Sequence, residues 1–410
     1  MNRSSHKARI LTAGLLIASM VTVVAGVSGG GLASAAKKTP SPYLVGVPMP
    51  MTGAEAQAGT QIYDAELMAA QAINKAGGVL GHKVKGRMVG GHKIKLMEQD
   101  DACDAGTAVN AANLLVSKGV KAEVGGYCSG ATLPAEPIIS KAGIPYIMPA
   151  ANSPELTVGG YKNVFLIDPS GAGDATEVAA FFKQQKETKI FIIDDQSAFG
   201  VAIADAAAKD IAAKGGTVVS GGVQSIPATS NDFSAVISQI QSSGATGIYW
   251  TGYFAQAAQF ATQLNAAGLI GASGKATFVV ADASVDPTYL SGAGAAANGT
   301  YATIAALASG VGDVLGTAAD KKFDAAFTKQ FHAATGPYSA FGYDAITALA
   351  QAAKNAKSIA PSKVIAALHK LKFNGLTGKV SFDKYGNRQG ATMDLLEVVG
   401  GKYALASPQP

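Results

Sequence analysis

The feature that most constrains this chain is an alternation of short apolar runs with helical patterns, met twice along its length. Tyr43 to Met49 is a short apolar run and predicts a strand. After it, Ile62, Ala65, Ala69, Ala72, Ile73 and Ala76 recur at helical spacing until Gly77-Gly78 stops the pattern, predicting a helix from Ala58 to Ala76. Lys93 to Glu98, Val120 to Val124 and Ile144 to Met148 read as further strands, separated by helices from Asp104 to Lys118 and from Thr132 to Ala142. Asp104 suits a helix cap and Gly119 a helix end. The rhythm resumes with strands at 189–193, 217–223, 247–251 and 276–280 and helices at 201–214, 233–242 and 255–267. Three helical segments follow at 319–334, 340–353 and 362–371, then a closing pair of strands at 379–382 and 393–399. Such alternation implies α/β architecture, parallel sheets with helices on both faces. Two blocks parted near Asp168 to Gly173 imply two doubly wound lobes.

The first residues read differently. Lys7 and Arg9 precede an apolar run from Ile10 to Val27, and small residues follow to Ala33-Ser34-Ala35. A basic region, an apolar region and an Ala-x-Ala site predict a cleavable secretory signal over residues 1–35, with an uncleaved anchor as the alternative. No Cys follows the run, which argues against a lipid-anchored start. The remainder is too long for one ordinary core and suits two domains. The whole chain's net charge of +5 is scattered, with no long basic run, so nothing asks for nucleic acid as a partner.

Export places Cys103 and Cys128, the two cysteines, in an oxidising compartment, where an even count reads first as a disulfide. Two buried free thiols are the alternative; a metal site is disfavoured because no His or Cys cluster accompanies them. Gly81-His82-Lys83-Val84-Lys85 nearly recurs as Gly91-His92-Lys93-Ile94-Lys95, predicting a short duplicated, exposed hairpin. Its two histidines are too few for a metal site.

Motifs of catalysis are missing from the sequence: there is no Gly-x-Ser-x-Gly, His-Glu-x-x-His or Walker loop, and the histidines are far apart. No catalytic residue and no cofactor is expected. Binding features are better placed. In open α/β sheets, ligands sit beyond the carboxyl ends of the strands. Val120 to Val124 runs out into Gly125-Gly126-Tyr127-Cys128-Ser129-Gly130 before a helix, where free N–H groups and the Ser129 hydroxyl suit a carboxylate. The next strand ends in Pro149-Ala150-Ala151-Asn152-Ser153-Pro154, which offers backbone groups and an amide. In the second block, Asp194 to Gly200, Trp250-Thr251-Gly252-Tyr253 and Ala281-Asp282-Ala283 follow strands. Aromatics with an acid suit an ammonium, by face contact and by charge. Taken singly, each of these is also an ordinary turn, core aromatic or capping Asp.

Taken together they resemble the periplasmic leucine/isoleucine/valine-binding proteins of branched-chain amino acid ABC transporters, which have the type I periplasmic-binding fold. The resemblance covers Tyr43 to Val399. It is most specific in Ile73-Asn74-Lys75-Ala76-Gly77-Gly78-Val79-Leu80-Gly81, Asp100-Asp101-Ala102-Cys103-Asp104, Cys128-Ser129 leading to Pro134-Ala135, Pro149-Ala150-Ala151 with Pro154-Glu155-Leu156-Thr157, Gly252-Tyr253, and Ala266-Ala267-Gly268-Leu269. It implies a Cys103–Cys128 disulfide, and two lobes joined by a multi-strand hinge: 36–168 with 305–376, and 169–304 with 377–410. It puts a ligand carboxylate at Ser129 near Ala150 and Asn152, an ammonium at Asp282, and aromatic contacts at Tyr253 and Phe199, with Tyr127 and Tyr338 close by.

Three departures touch the ligand. Asn152 stands where the family has a hydroxyl residue, Ala58 where it has an aromatic, and Asp282 where it has Glu. The segment from Gly86 to Lys93 is an insertion, expected away from the cleft. The function implied is non-enzymatic: a periplasmic, monomeric solute-binding protein that captures a small molecule, an amino acid, and delivers it to the membrane permease of an ABC transporter. The alternative is a sensor on the same fold, binding an amide, a short acid or an aromatic compound.

Overall fold

The computed structural model describes residues 40–306, 308–311, 315 and 317–410. The signal reading at 1–35 lies outside them. Residues 40–410 form one compact unit built on two sheets.

The first sheet has five parallel strands in the order Ile94–Asp100, Tyr43–Met49, Ala122–Val124, Tyr146–Met148, Val164–Leu166. Numbered along the chain this is 2-1-3-4-5, so the strand order reverses between Tyr43–Met49 and Ala122–Val124. Loops leaving a sheet on either side of such a reversal diverge and open a crevice. Tyr43, Val45, Val47 and Met49 on one face are fully buried, and Gly46 and Pro48 on the other are buried too, as a strand covered on both faces requires. Helix Ala56–Lys75 packs against this sheet, and helix Ser339–Ala356 packs along it from far down the chain. Small residues permit the close approach. A Cβ on Gly59 would sit 2.0 Å from the Pro50 carbonyl oxygen.

The second sheet runs Gln224–Ser225, Lys189–Asp194, Gly247–Trp250, Thr277–Val280, Tyr301–Ala305, Met393–Val399, Lys402–Leu405, with Thr217–Val218 also pairing Lys189–Asp194. It is parallel as far as Tyr301–Ala305; the last two strands join antiparallel. The chain passes between the sheets three times, at 167–171, between 305 and the helix Ala318–Phe331, and at 382–392.

Several expectations shift. The strand expected over 217–223 is two residues, Thr217–Val218, before a turn and the short strand Gln224–Ser225. The helix expected from Thr132 starts at Ser129. Helix Ala172–Gln184 and strands Val164–Leu166 and Tyr301–Ala305 were not anticipated. The two closing strands do not pair: Gly378–Ser381 folds back on Lys372–Gly375, whereas Met393–Val399 pairs with Tyr301–Ala305. The duplicated histidine segments do not pair with each other either. His82–Val84 pairs with Arg87–Val89, while His92 bridges Val79 and leads into Ile94–Asp100. The hairpin is exposed and precedes a strand start, so it lies at the end of the first sheet away from the strand carboxyl ends.

Candidate functional site

At the carboxyl end of Tyr43–Met49, the turn through Asp100 and Asp101 is held by its own acids. Asp100 Oδ1 accepts from the N–H groups of Met51 and Ala102, both at 2.9 Å, and Asp101 Oδ1 from Cys103 N–H at 2.9 Å. This lets Ala102 and Cys103 adopt left-handed backbone, φ 49° and 54°. Cys103 is bonded to Cys128, closing a loop with a sequence separation of 25. The bridge fastens that turn to the start of helix Ser129–Ala142, whose first N–H groups have no partner within the helix. Ser129 is fully buried. Its Oγ accepts from Ser153 N–H at 3.2 Å, which leaves the hydroxyl proton free to donate.

Asn152 joins the two halves. Its Nδ2 donates to Asp282 Oδ2 at 2.7 Å and to Asp168 Oδ2 at 3.2 Å, and its Oδ1 is buried with no hydrogen-bond partner. Asp282 follows strand Thr277–Val280 of the second sheet and accepts from Ala283 N–H at 2.8 Å through Oδ1. Burial pushes its carboxyl up to about 6; hydrogen bonds from Asn152 and the Tyr338 hydroxyl work against the rise. Behind it, Asp168 and Asp174 are fully buried, and burial followed by the Asp282 charge raises both well above the ordinary carboxylate range. Asp174 holds the Thr303 hydroxyl, and Arg388 faces Asp168 while donating to the Ile167 carbonyl at 2.8 Å.

The aromatic residues form a chain across the gap. Phe199 and Tyr253 rings are 5.5 Å apart, Tyr253 and Tyr127 5.9 Å, Tyr127 and Tyr338 5.7 Å, all tilted or edge-to-face. Tyr253 is fixed by its N–H, which donates to Asp195 Oδ2 at 3.3 Å. Gly252 allows that approach, since a Cβ there would meet the Asp195 Cβ at 2.7 Å. Beside this chain a cavity of about 460 Å³ opens between the halves, lined by Glu55, Cys103, Cys128, Asp195, Tyr253 and Gln256 among others. Such a volume suits a small molecule. A smaller cavity of about 300 Å³, by Phe341, Thr377, Lys379 and Arg388, holds none of these acids or aromatic rings.

The structure therefore brings Ser129, Asn152, Asp282, Tyr338, Tyr127, Tyr253 and Phe199 into one connected set. Ala150 is buried beside them, where Ala151 N–H meets the Gly126 carbonyl at 3.0 Å. Sequence reasoning missed Glu55, Asp168 and Asp174. Asp168 entered it only as a boundary, and Asp174 lies in the helix that went unrecognised. Trp250 sits in the core against Phe233 and Phe260, one hydrogen bond from the Tyr253 carbonyl.

Residues 42–402 match the family model described as periplasmic binding protein. The chain belongs to that family. It is 31% identical over 349 residues to a Leu/Ile/Val-binding protein homolog of Brucella suis, covering 84% of this chain and 87% of the relative. The leucine binding protein of Thermotoga maritima has the same fold, with TM-score 0.78, 22% identity, and coverage of 89% of this chain and 97% of that one. So has an ABC transporter solute binding protein from R. palustris in complex with benzoate, with TM-score 0.76, 20% identity, and coverage of 89% and 95%. The periplasmic binding protein family carries out solute binding for transport. Among the described residues no helix is long and apolar enough to cross a membrane.

Proposed function

We propose that the protein captures an α-amino acid between two lobes and presents it to the permease of an ABC transporter, in the periplasm and as a monomer, with residues 1–35 removed as a signal. The first lobe comprises 36–168 and 305–376, the second 169–304 and the C-terminal strands. The crossing into the second lobe is better put after Arg388 than at 377. Thr377 is tied to Asp344 at 2.8 Å, Leu166 N–H to the Gly386 carbonyl at 2.9 Å and Arg388 to the Ile167 carbonyl, all on the first-sheet side.

One observation carries the reading: donors and acceptors face each other from opposite sheets. The Ser129 hydroxyl and the helix start offer protons to a carboxylate. Asp282 and the unpartnered Asn152 Oδ1 accept from an ammonium. The first lobe supplies the carboxylate donors and the Asn152 oxygen, and only the second supplies the charged acceptor Asp282, so binding favours the closed state, and only that state presents both lobes together to a permease. Asn152 replaces a hydroxyl with an amide that both braces Asp282 and adds an acceptor.

The test is a thermal-shift screen over the amino acids, with simple aromatic and aliphatic acids as a second panel. A ligand at a hundred times its dissociation constant adds roughly 2.7 kcal/mol of stability. Shifts from amino acids support the reading. Shifts from the acids alone favour an aromatic-acid receptor, transport or sensory; the four-ring chain and the benzoate-bound relative are its grounds.

A further inference from the structure

Glu55 lines the cavity but stands outside the connected set described above, and its setting is unusual. It stands at the N-cap of helix Ala56–Lys75, yet its side chain makes no capping bond. Glu is in any case a poor cap; shorter polar side chains reach the helix N–H groups better. The carboxyl instead turns into the cleft, 8% exposed, with Oε2 buried and without a partner. Its neighbour is the Tyr127 hydroxyl, a neutral donor. The carboxylates of Asp286 and Asp195 face it from the second lobe.

Glu55 also lines the 460 Å³ cavity, and the wall around it is one-sided. The other ionisable side chains in that wall, apart from Tyr253, are Asp104 and Asp195, and no Lys, Arg or His is among the described residues that line it. Asp195 is already engaged by Ser197 N–H, Ser197 Oγ and Tyr253 N–H, and Asp104 caps its own helix. Glu55 is the acid of that wall with a buried oxygen left unpartnered. A buried polar group without a partner is costly, and a wall of one charge sign favours an occupant of the other.

We infer that Glu55 is a specificity-determining contact for the far end of the ligand, and that the protein takes amino acids whose side chain ends in an ammonium or guanidinium group. The head group would lie at Ser129, Asn152 and Asp282, and the side chain would run past Tyr127 and Tyr253 to Glu55. This rests on the amino-acid reading. A methyl-ended side chain would leave Glu55 unpaired, and sites built to hydrogen-bond a ligand group reject the analogue lacking it. Burial, then the Asp286 and Asp195 charges, pushes the Glu55 carboxyl up to about 8. Binding of a cation there expels its proton, so preference for the cationic ligand grows as pH rises toward 8.

The experiment compares lysine with norleucine, which shares its chain but ends in methyl, by calorimetry on the native protein and on Glu55→Gln at pH 6.5 and 8.5. Native protein binds lysine at least about tenfold more tightly than norleucine, the size of one well-placed charged contact. The ratio rises at the higher pH. In Glu55→Gln the ratio falls toward one and loses its pH dependence. Norleucine binding as tightly as lysine to native protein, or an unchanged ratio in Glu55→Gln, overturns the inference and leaves the amino-acid reading standing. Binding of neither, alongside binding of simple acids, removes both together.

Discussion

The deep end of the cleft and its mouth are built differently. At the deep end the side chains interlock, Asp282 with Asn152 and Ala283, Asn152 also with Asp168, Ser129 with Ser153, and the oxygens left over, Asn152 Oδ1 and Asp168 Oδ1, belong to side chains already held by a bond. At the mouth Glu55 lines the cavity, and one of its two carboxyl oxygens is buried with no partner. A site held by fixed partners costs little reorganisation when a ligand arrives, and so suits the head group that all amino acids share. A group left unpaired discriminates, because only some ligands satisfy it. The Cys103–Cys128 bridge borders both, lining the mouth and fastening the helix start at Ser129.

The largest effect that sharpens this contrast is at Asp282. Asp282→Asn removes one partner of a buried charge pair, at about 2–5 kcal/mol, or roughly 30-fold and more in affinity for an amino acid. Calorimetry checks it; unchanged affinity would mean the deep end does not receive an ammonium. Next comes the tether. Replacing both cysteines by serine should lower stability by roughly 3 kcal/mol, as expected for a loop of this length, read as a drop in the midpoint of denaturant unfolding. A smaller loss is expected from Ser129→Ala, about 1–2 kcal/mol in amino-acid affinity, because the helix N–H groups remain. A loss as large as that of Asp282→Asn would show that the hydroxyl, not the helix start, carries the carboxylate.

A last effect, read in the stability of the ligand-free protein, separates the two ends by pH. Glu55 is raised to about 8 and Asp282 to about 6, each chiefly by burial. A carboxyl raised in the folded state binds more protons there than in the unfolded chain, so stability falls as pH climbs through the folded value. Ligand-free protein should therefore melt higher at pH 5.5 than at pH 8.5, each group contributing at most roughly 1.4 kcal/mol per pH unit. Glu55→Gln should reduce the fall that runs up to pH 8, which Glu123 and Glu136 share, and Asp282→Asn the fall that runs up to pH 6, which Asp101 shares. Amino-acid affinity moves the other way at the deep end, weakening as pH drops below 6 and Asp282 takes up its proton. A melting profile that neither variant alters would break the assignment of these two acids to separate ends.

What sequence alone determined here was local. Tyr43–Met49 has the length and apolar run of a covered strand, and Gly77-Gly78 stops the preceding helix; both are readable because period and punctuation act over a few residues. The Cys103–Cys128 pairing was legible from two cysteines in an exported chain and was reinforced by family resemblance, whereas the Asp100–Asp104 turn was legible only through that resemblance. Helix Ala172–Gln184 escaped because Gly171 and Gly173 blur its start and its cap uses no side chain. The tertiary structure decided the rest. Whether Met393–Val399 would pair with Gly378–Ser381 or with Tyr301–Ala305 depends on partners far along the chain. Asn152 reaches Asp282 across 130 positions. Glu55 reads as a surface acid at a helix start, and becomes a buried, unpaired one only when the second lobe covers it. Solvation of a side chain is a property of what packs over it, and no local pattern carries that information.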